Sequence, residues 1–302
     1  MSSARTAVPF RPPGWAGVGT CALDGSSPPV PWRPPYHVLL LATGGLGTVE
    51  VDFVGHECRP GTLLWVRPGQ ELRAGHDGLT ASVVTFEPRL AEVVSFDPRL
   101  TGDLTPPAHR NSEIKSDERV PYGRWQLEGE DEDAVISEFT QIAVDCERHR
   151  SGPLAAELLR HQLTVLLLRI ALLTGSEPVG AESRTFARFR RLLETGHPRS
   201  RRVEDYAEEL DCSVRTLTRA CLAVTGRTAK QVVDDRVALE ARRLLACTPM
   251  SVAEVGRHLG FPEPTNFGRF FHREVGMSPG QFRSETAANG LGRIPVQRRP
   301  PD

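Results

Sequence analysis

From residue 37 the chain alternates short apolar runs with glycine and proline breaks. Residues 37–43 form an unbroken apolar run, closed by Gly44-Gly45-Leu46-Gly47. Residues 48–54 then alternate, with Val49, Val51 and Phe53 on one face and Thr48, Glu50 and Asp52 on the other. That period of two predicts a half-buried strand, and Gly55-His56 reads as the next turn. Pro60-Gly61 and Arg67-Pro68-Gly69 bracket a strand at 62–66, and 79–86 is a further β-rich run. Short strands punctuated in this way predict a small antiparallel barrel or sandwich.

Helical patterns follow. Residues 131–150 open on acidic side chains, as a helix N-terminus favours. Pro153 suits the first turn of a helix over 154–173 that ends before Gly175. This helix carries Leu158, Leu159, Leu163, Val165, Leu166, Leu167, Leu168 and Ile170, too many for one stripe. A helix apolar nearly all round needs two partners. The barrel is one, and the same helix of a second subunit is the other unless both lie within one subunit. Residues 1–35, rich in proline, read as an arm, an extended edge or a leader without function. Residues 176–183, with Pro178 and Gly180, read as a linker.

Beyond the linker one pattern occurs twice. Val203, Tyr206, Ala207 and Leu210 recur at helical spacing, Asp211-Cys212 breaks the helix, and Ser213 can cap a second one. That second helix turns Leu217 and Ala220 inward and Arg215, Thr218 and Arg219 outward, ending at Gly226. This is helix-turn-helix spacing. Ser251 and Glu254 then form a capping box ahead of Val252, Val255 and Leu259. Gly256 stands where Ala207 stood, Gly260-Phe261-Pro262-Glu263 turns the chain, and Pro264 opens the last helix of the repeat. Its inward residues are Phe267, Phe270 and Phe271; Thr265, Asn266 and Arg269 point out. Gly256 to Phe267 is eleven residues against ten for Ala207 to Leu217, so the second turn is one longer. Between the copies, residues 228–247 predict a single helix with Val233, Val237, Ala241 and Leu244 buried. At about 1.5 Å per residue it can hold two recognition helices roughly one DNA turn of 34 Å apart.

Charge strengthens that reading. The 302 residues carry a formal net charge of −1, but residues 184–302 carry +7 and residues 1–183 carry −8. A basic part joined to an acidic part points to a polyanion-binding module on a regulatory body. Arg242 and Arg243 fit a solvated face or phosphate contacts equally, and Arg298 and Arg299 read as tail. The six cysteines form no C-x-x-C pair, so they read as isolated, buried thiols. No apolar leader opens the sequence, and 163–173 is too short to span a bilayer. The expectation is a cytoplasmic protein without a membrane partner.

The stretch 184–285 resembles the DNA-binding domain of the arabinose-regulator (AraC/XylS) family of bacterial transcription regulators. The resemblance rests on Leu239-Glu240-Ala241-Arg242-Arg243-Leu244-Leu245, Leu259-Gly260-Phe261, Asn266-Phe267-Gly268-Arg269-Phe270-Phe271 and Gly276-Met277-Ser278-Pro279-Gly280-Gln281-Phe282-Arg283. In the first copy Leu217 and Arg219 fall on the family's Leu-x-Arg, while Cys221-Leu222 replaces the common Phe-Lys. The resemblance implies that Arg215, Thr218, Arg219, Thr265, Asn266 and Arg269 read bases and that Ser213 holds a phosphate. Arginine can bond guanine, and asparagine adenine, through two hydrogen bonds each.

The N-terminal part is similar to the family's cupin-like effector domains through Gly45-Leu46-Gly47-Thr48-Val49 and Arg59-Pro60-Gly61-Thr62-Leu63-Leu64-Trp65-Val66-Arg67-Pro68-Gly69-Gln70. His37 lacks an H-x-H partner and Leu72 stands where a last metal ligand would be expected. His37, His56 and His76 therefore read as surface or turn residues, and no metal or other cofactor is expected.

Together these observations predict an α+β protein: arm 1–35, cupin-like effector and dimerisation domain 36–175, linker 176–183, double helix-turn-helix 184–285 and flexible tail 286–302. The expected function is sequence-specific transcription regulation, without enzymatic activity. Its partners would be double-stranded DNA, a small-molecule effector, a second copy of the chain and, for an activator, RNA polymerase. The alternatives are a cupin-type metal enzyme with an appended DNA-binding domain and a non-specific architectural DNA protein.

Overall fold

The computed structural model describes residues 13–24, 31–74, 78–92, 123–149, 151–174, 181–197 and 200–289. They fall into two bodies, Met1–Glu177 and Pro178–Asp302. The first holds strands β1 (Val18–Leu23), β2 (His37–Gly44), β3 (Gly47–Val51), β4 (Val54–Cys58), β5 (Thr62–Val66), β6 (Leu72–Ala74), β7 (Thr80–Phe86) and β8 (Gly123–Gln126). It also holds the short helix α1 (Pro88–Glu92) and the long pair α2 (Glu130–Arg148) and α3 (Pro153–Thr174).

All ladders are antiparallel. One sheet runs β1-β7-β2-β5-β8 and the other β4-β3-β6. Leu39, Leu41, Leu63, Trp65, Val84 and Phe86 of the larger sheet pack on Phe139, Ile142, Leu163, Leu166 and Ile170 of α2 and α3. Their neighbours Val38, Leu40, Ala42, Leu64, Val66 and Val83 face the smaller sheet and meet Val49, Val51 and Leu72. The larger sheet is thus buried on both faces, which removes the polar alternation and leaves β2 an unbroken apolar run. The described strands form two facing sheets that do not close on each other. Within the stretch read as an arm or edge, β1 is an edge strand on β7.

Two local expectations are corrected. Residues 48–54 are not one strand: the chain turns at Asp52-Phe53, and Gly55-His56 lies inside β4. Asp52 and Phe53 have φ of 51° and 67°, the double left-handed geometry of a tight hairpin. The Asp52 carboxylate accepts from Gln70 Nε2 at 2.7 Å and from the Glu71 amide at 3.0 Å, which holds that backbone without glycine. His37 and His56 are neither at the surface nor in turns. His37 lies half-buried in β2, and its Nδ1 accepts from Trp65 Nε1 at 3.0 Å. His56 is buried opposite Val49. Burial, with Arg67 and Arg124 respectively adding repulsion, pushes His37 down to about 3 and His56 to about 4. His76 lies outside the described residues.

Helix α3 divides its apolar residues. One side packs into the core, and Gln162 on that flank donates to Asp145 of α2 at 2.6 Å. The other side leaves Leu154, Leu158, Val165, Leu168 and Leu172 exposed, Leu154 by 86% and Leu172 by 82%. Together with the exposed His161 these recur at alternating steps of four and three, the spacing of a coiled-coil seam. Among the described residues that stripe stays exposed.

The second body is helical: α4 (Ala181–Gly196), α5 (Val203–Glu209), α6 (Val214–Thr225), α7 (Ala229–Cys247), α8 (Val252–His258), α9 (Pro264–Val275) and α10 (Pro279–Asn289). Helix α4 begins inside the stretch that reads as a linker. Helix α7 buries Val233, Val237, Ala241 and Leu244 as its stripe predicts, but also Asp234, Glu240 and Arg243. Glu240 pairs with Arg243 at 3.4 Å and with Arg236 at 3.2 Å, and Arg236 reaches Glu194 of α4 at 2.9 Å. Arg243 is therefore an internal tie, neither a solvated face nor a phosphate contact. Arg242 is half-buried, with its guanidinium 5.8 Å from the centre of the Phe282 ring. Arg298 and Arg299 lie outside the described residues. No helix among the described residues is long and apolar enough to cross a membrane.

Candidate nucleic-acid interface

Both helix-turn-helix copies share one hydrogen-bond frame. The Cys212 amide donates to the Ala207 carbonyl at 3.0 Å, and Phe261 to Gly256 at 2.9 Å. Leu210 bonds Tyr206, and Leu259 bonds Val255, at 3.1 Å in each case. The turns pass through left-handed backbone at Asp211, φ 52°, and Gly260, φ 75°. These pairs lie forty-nine positions apart, whereas Leu217 and Phe267 lie fifty apart. The extra residue therefore sits after Phe261, in the approach to α9.

The caps repeat too. Ser213 accepts from the Thr216 amide at the start of α6. Pro264 opens α9, and Gly226 and Gly276 close the two helices in left-handed conformation. The capping boxes Thr228–Gln231 and Ser251–Glu254 both form. Hydrogen bonds from Ser251 hold the Glu254 carboxyl below its usual range.

Packing decides which face of each recognition helix remains outside. Leu217, Ala220 and Cys221 of α6 are buried, as are Phe267, Phe270 and Phe271 of α9. Gly256 lets α8 approach α9 closely: a Cβ there would lie 3.1 Å from Phe267 Cβ. Arg215 and Arg219 on α6 are exposed and Thr218 is half-buried between them. Thr265, Asn266 and Arg269 on α9 are all exposed. Each set sits on its own helix; Arg215 with Thr265 and Arg219 with Arg269 hold corresponding places in the two copies, whereas Thr218 corresponds to Gly268 and Asn266 to Thr216. Ser213 is exposed, and its hydroxyl is engaged in capping α6.

A cleft of about 550 Å³ borders Asn266 and Arg269 and is lined by Arg201, Lys230, Asp234 and Arg273 as well as phenylalanines. Asp234 pairs with Lys230 and, at 3.4 Å, with Arg273. The Arg201 guanidinium lies 3.7 Å from the centre of the Phe261 ring and donates to the Gly260 carbonyl at 3.2 Å. Burial lowers its pKa, against the opposing pull of Asp234. The sequence does not single out Arg201 and Lys230, because they stand outside the helical repeat and only folding brings them beside α9, whose last turn carries Arg273.

Residues 206–285 match the family described as a helix-turn-helix domain. The chain is 29% identical over 160 residues to the HTH-type transcriptional activator RhaR of Enterobacter sp. (strain 638), covering 53% of this chain and 57% of that protein. It is 28% identical over 153 residues to RhaR of Salmonella schwarzengrund (strain CVM19633), covering 49% and 54%. The chain thus spans about half the length of the curated relatives it matches. The crystal structure of ToxT from Vibrio cholerae O395, solved with a bound naphthalenyl butenoic acid, aligns at 13% identity and a TM-score of 0.47. That alignment covers 89% of this chain and 98% of the other.

Proposed function

We propose that the chain is a transcription regulator of the AraC/XylS family that reads two successive major grooves of duplex DNA with α6 and α9. The observation that carries this reading is the shared hydrogen-bond frame of the two copies, each exposing a polar, cationic helix face. Arg215, Thr218 and Arg219 read bases in one groove, and Thr265, Asn266 and Arg269 in the next. Ser213 and the helix N-termini hold phosphates. Helix α7, with 19 residues and about 1.5 Å per residue, is the spacer.

The remaining assignments follow the same reading. Residues 184–285 are the DNA-binding domain, 176–183 the linker, 286–302 a flexible tail and 1–35 an arm. Residues 36–175 form a cupin-like effector domain that acts without catalysis. A small molecule bound there shifts the arrangement of the DNA-binding domain by favouring one conformation over another. The exposed seam of α3 pairs with its counterpart in a second copy, since an apolar stripe of this length is costly to leave in water. An activating role would add RNA polymerase as a partner, and the whole protein works in the cytoplasm.

The test is selection from a random duplex library by the full chain at physiological salt, with and without cell metabolites. Two short blocks about one helical turn apart are expected. Enrichment of no motif under either condition, with the same failure by residues 184–302 alone, would overturn the reading.

A further inference from the structure

Arg201 connects the two helix-turn-helix copies at a point away from their common spine. Both copies pack on α7. Arg201, just ahead of α5, reaches across to the turn of the second copy, where it lies 3.7 Å from the Phe261 ring centre and bonds Gly260. Its base is firmly held: the Tyr206 hydroxyl donates to the Ser200 carbonyl at 2.8 Å, and the Arg202 amide to the Ser200 hydroxyl at 3.0 Å. Its far end is equally anchored. Phe261 is buried and packs on Phe267 and Phe270 of α9, with ring centres 5.4 and 5.0 Å away. The chain of contacts runs from α5 through one guanidinium to the inner face of the second recognition helix.

We propose that Arg201 is a positioning residue that sets the separation and angle of α6 and α9, and so the half-site spacing this protein accepts. The physical reason is geometric. Two bodies packed on one helix retain a soft rotation about it, whereas a second attachment off that axis removes it. A planar guanidinium stacked on a ring is suited to the task, because it resists tilt as well as separation. Lys230 and Arg273 do not share this role, since each ties to Asp234 within the spine and second copy.

The inference rests on the two-groove reading, so its experiment keeps the two apart. Full-length wild type, Arg201→Ala and Arg201→Lys select from a library of two random blocks joined by spacers of every length across one helical turn. Wild type should enrich paired blocks at one spacing. In Arg201→Ala the preference for that spacing over its one-base-pair neighbours should fall about tenfold, equivalent to ~1.4 kcal/mol. Affinity for a single block should change little, and Arg201→Lys, which keeps the charge but not the plane, should recover only part of the preference. Paired blocks with the same sharp spacing in Arg201→Ala would overturn the proposal while leaving two-groove reading intact. An equal loss at every spacing, with a shallower salt dependence, would make Arg201 a phosphate contact and also overturn it. Wild type that enriches no paired blocks would overturn the tandem reading, and this inference with it.

Discussion

Trp65 Nε1 donates to His37 Nδ1 at 3.0 Å, and the His37 ring stacks on Phe86 with centres 4.7 Å apart. Trp65 and Phe86 belong to the core beneath α2 and α3, so an imidazole completes an apolar layer as a neutral acceptor. Its folded pKa, about 3, lies below the ordinary histidine value of 6.5. The unfolded chain therefore binds the extra proton first, and stability falls as pH drops from 6.5 toward 3. Urea melts of wild type and His37→Gln across that window should show the acid loss reduced in the variant, because a glutamine carbonyl can accept the indole bond without titrating. Equal pH slopes would refute this.

Glu71 has the opposite sign. Its side chain is fully buried, 3.7 Å from Arg73, and burial pushes its pKa from 4.5 up to about 7 despite that cation, with Glu50 and Asp52 adding repulsion. The folded state here holds a proton that the unfolded state releases earlier, so this contribution is favourable below pH 4.5 and lost as pH rises through 7. Glu71→Gln should raise the melting temperature at pH 8 and leave it almost unchanged at pH 4.5. A variant less stable than wild type at pH 8 would show that the Arg73 pairing outweighs the burial of charge.

The α3 seam makes a prediction about assembly. Val165 and Leu168 are exposed, so replacing both by glutamate should spare the fold of one subunit. If the seam joins two copies, analytical ultracentrifugation should show the dimer dissociation constant rise at least about tenfold for each lost apolar contact. Unchanged association would place the interface elsewhere.

Base reading separates from phosphate contact by its signature. Arg215→Ala and Asn266→Ala, both at exposed positions, should each relax discrimination at one base pair by about 1–3 kcal/mol in competition binding with single-base operator variants. A uniform loss over all sequences would assign the side chain to the backbone instead.

Gly256 tests the helix contact. Alanine there gains up to ~1 kcal/mol of helix propensity and brings a Cβ to 3.1 Å from Phe267 Cβ, so the two effects should nearly cancel. Valine adds bulk without that gain and should destabilise by about 1–3 kcal/mol in thermal melts.

Much of the second body follows from local rules. Ser213, Thr228 and Ser251 start helices, and Gly226 and Gly276 stop them, because a cap needs only its own neighbours within three or four residues. The inward sets Leu217 with Ala220 and Phe267 with Phe271 follow from a period of 3.6, as do the outward faces opposite them. The repeated frame and its one-residue difference were legible for the same reason. Helix α4 was not, since it neither follows a strong cap nor repeats anything.

Long-range pairing decided the rest. The hairpin turn fell at Asp52-Phe53 and not at Gly55-His56 because a carboxylate bonded to Gln70 and Glu71, eighteen and nineteen residues on, holds left-handed backbone there. His37 and His56 are interior because the sheets that enclose them are built from strands distant in sequence. Arg243 and Arg201 look alike along the chain, yet one is buried against Glu240 and the other lies across Phe261. Sequence by itself determined where the capped helices of the second body begin and end and which of their faces are apolar, since those properties depend on residues within a turn or two. Only tertiary structure decided which charges are buried and what they hold, since burial and partnership depend on residues brought close by folding of the whole body.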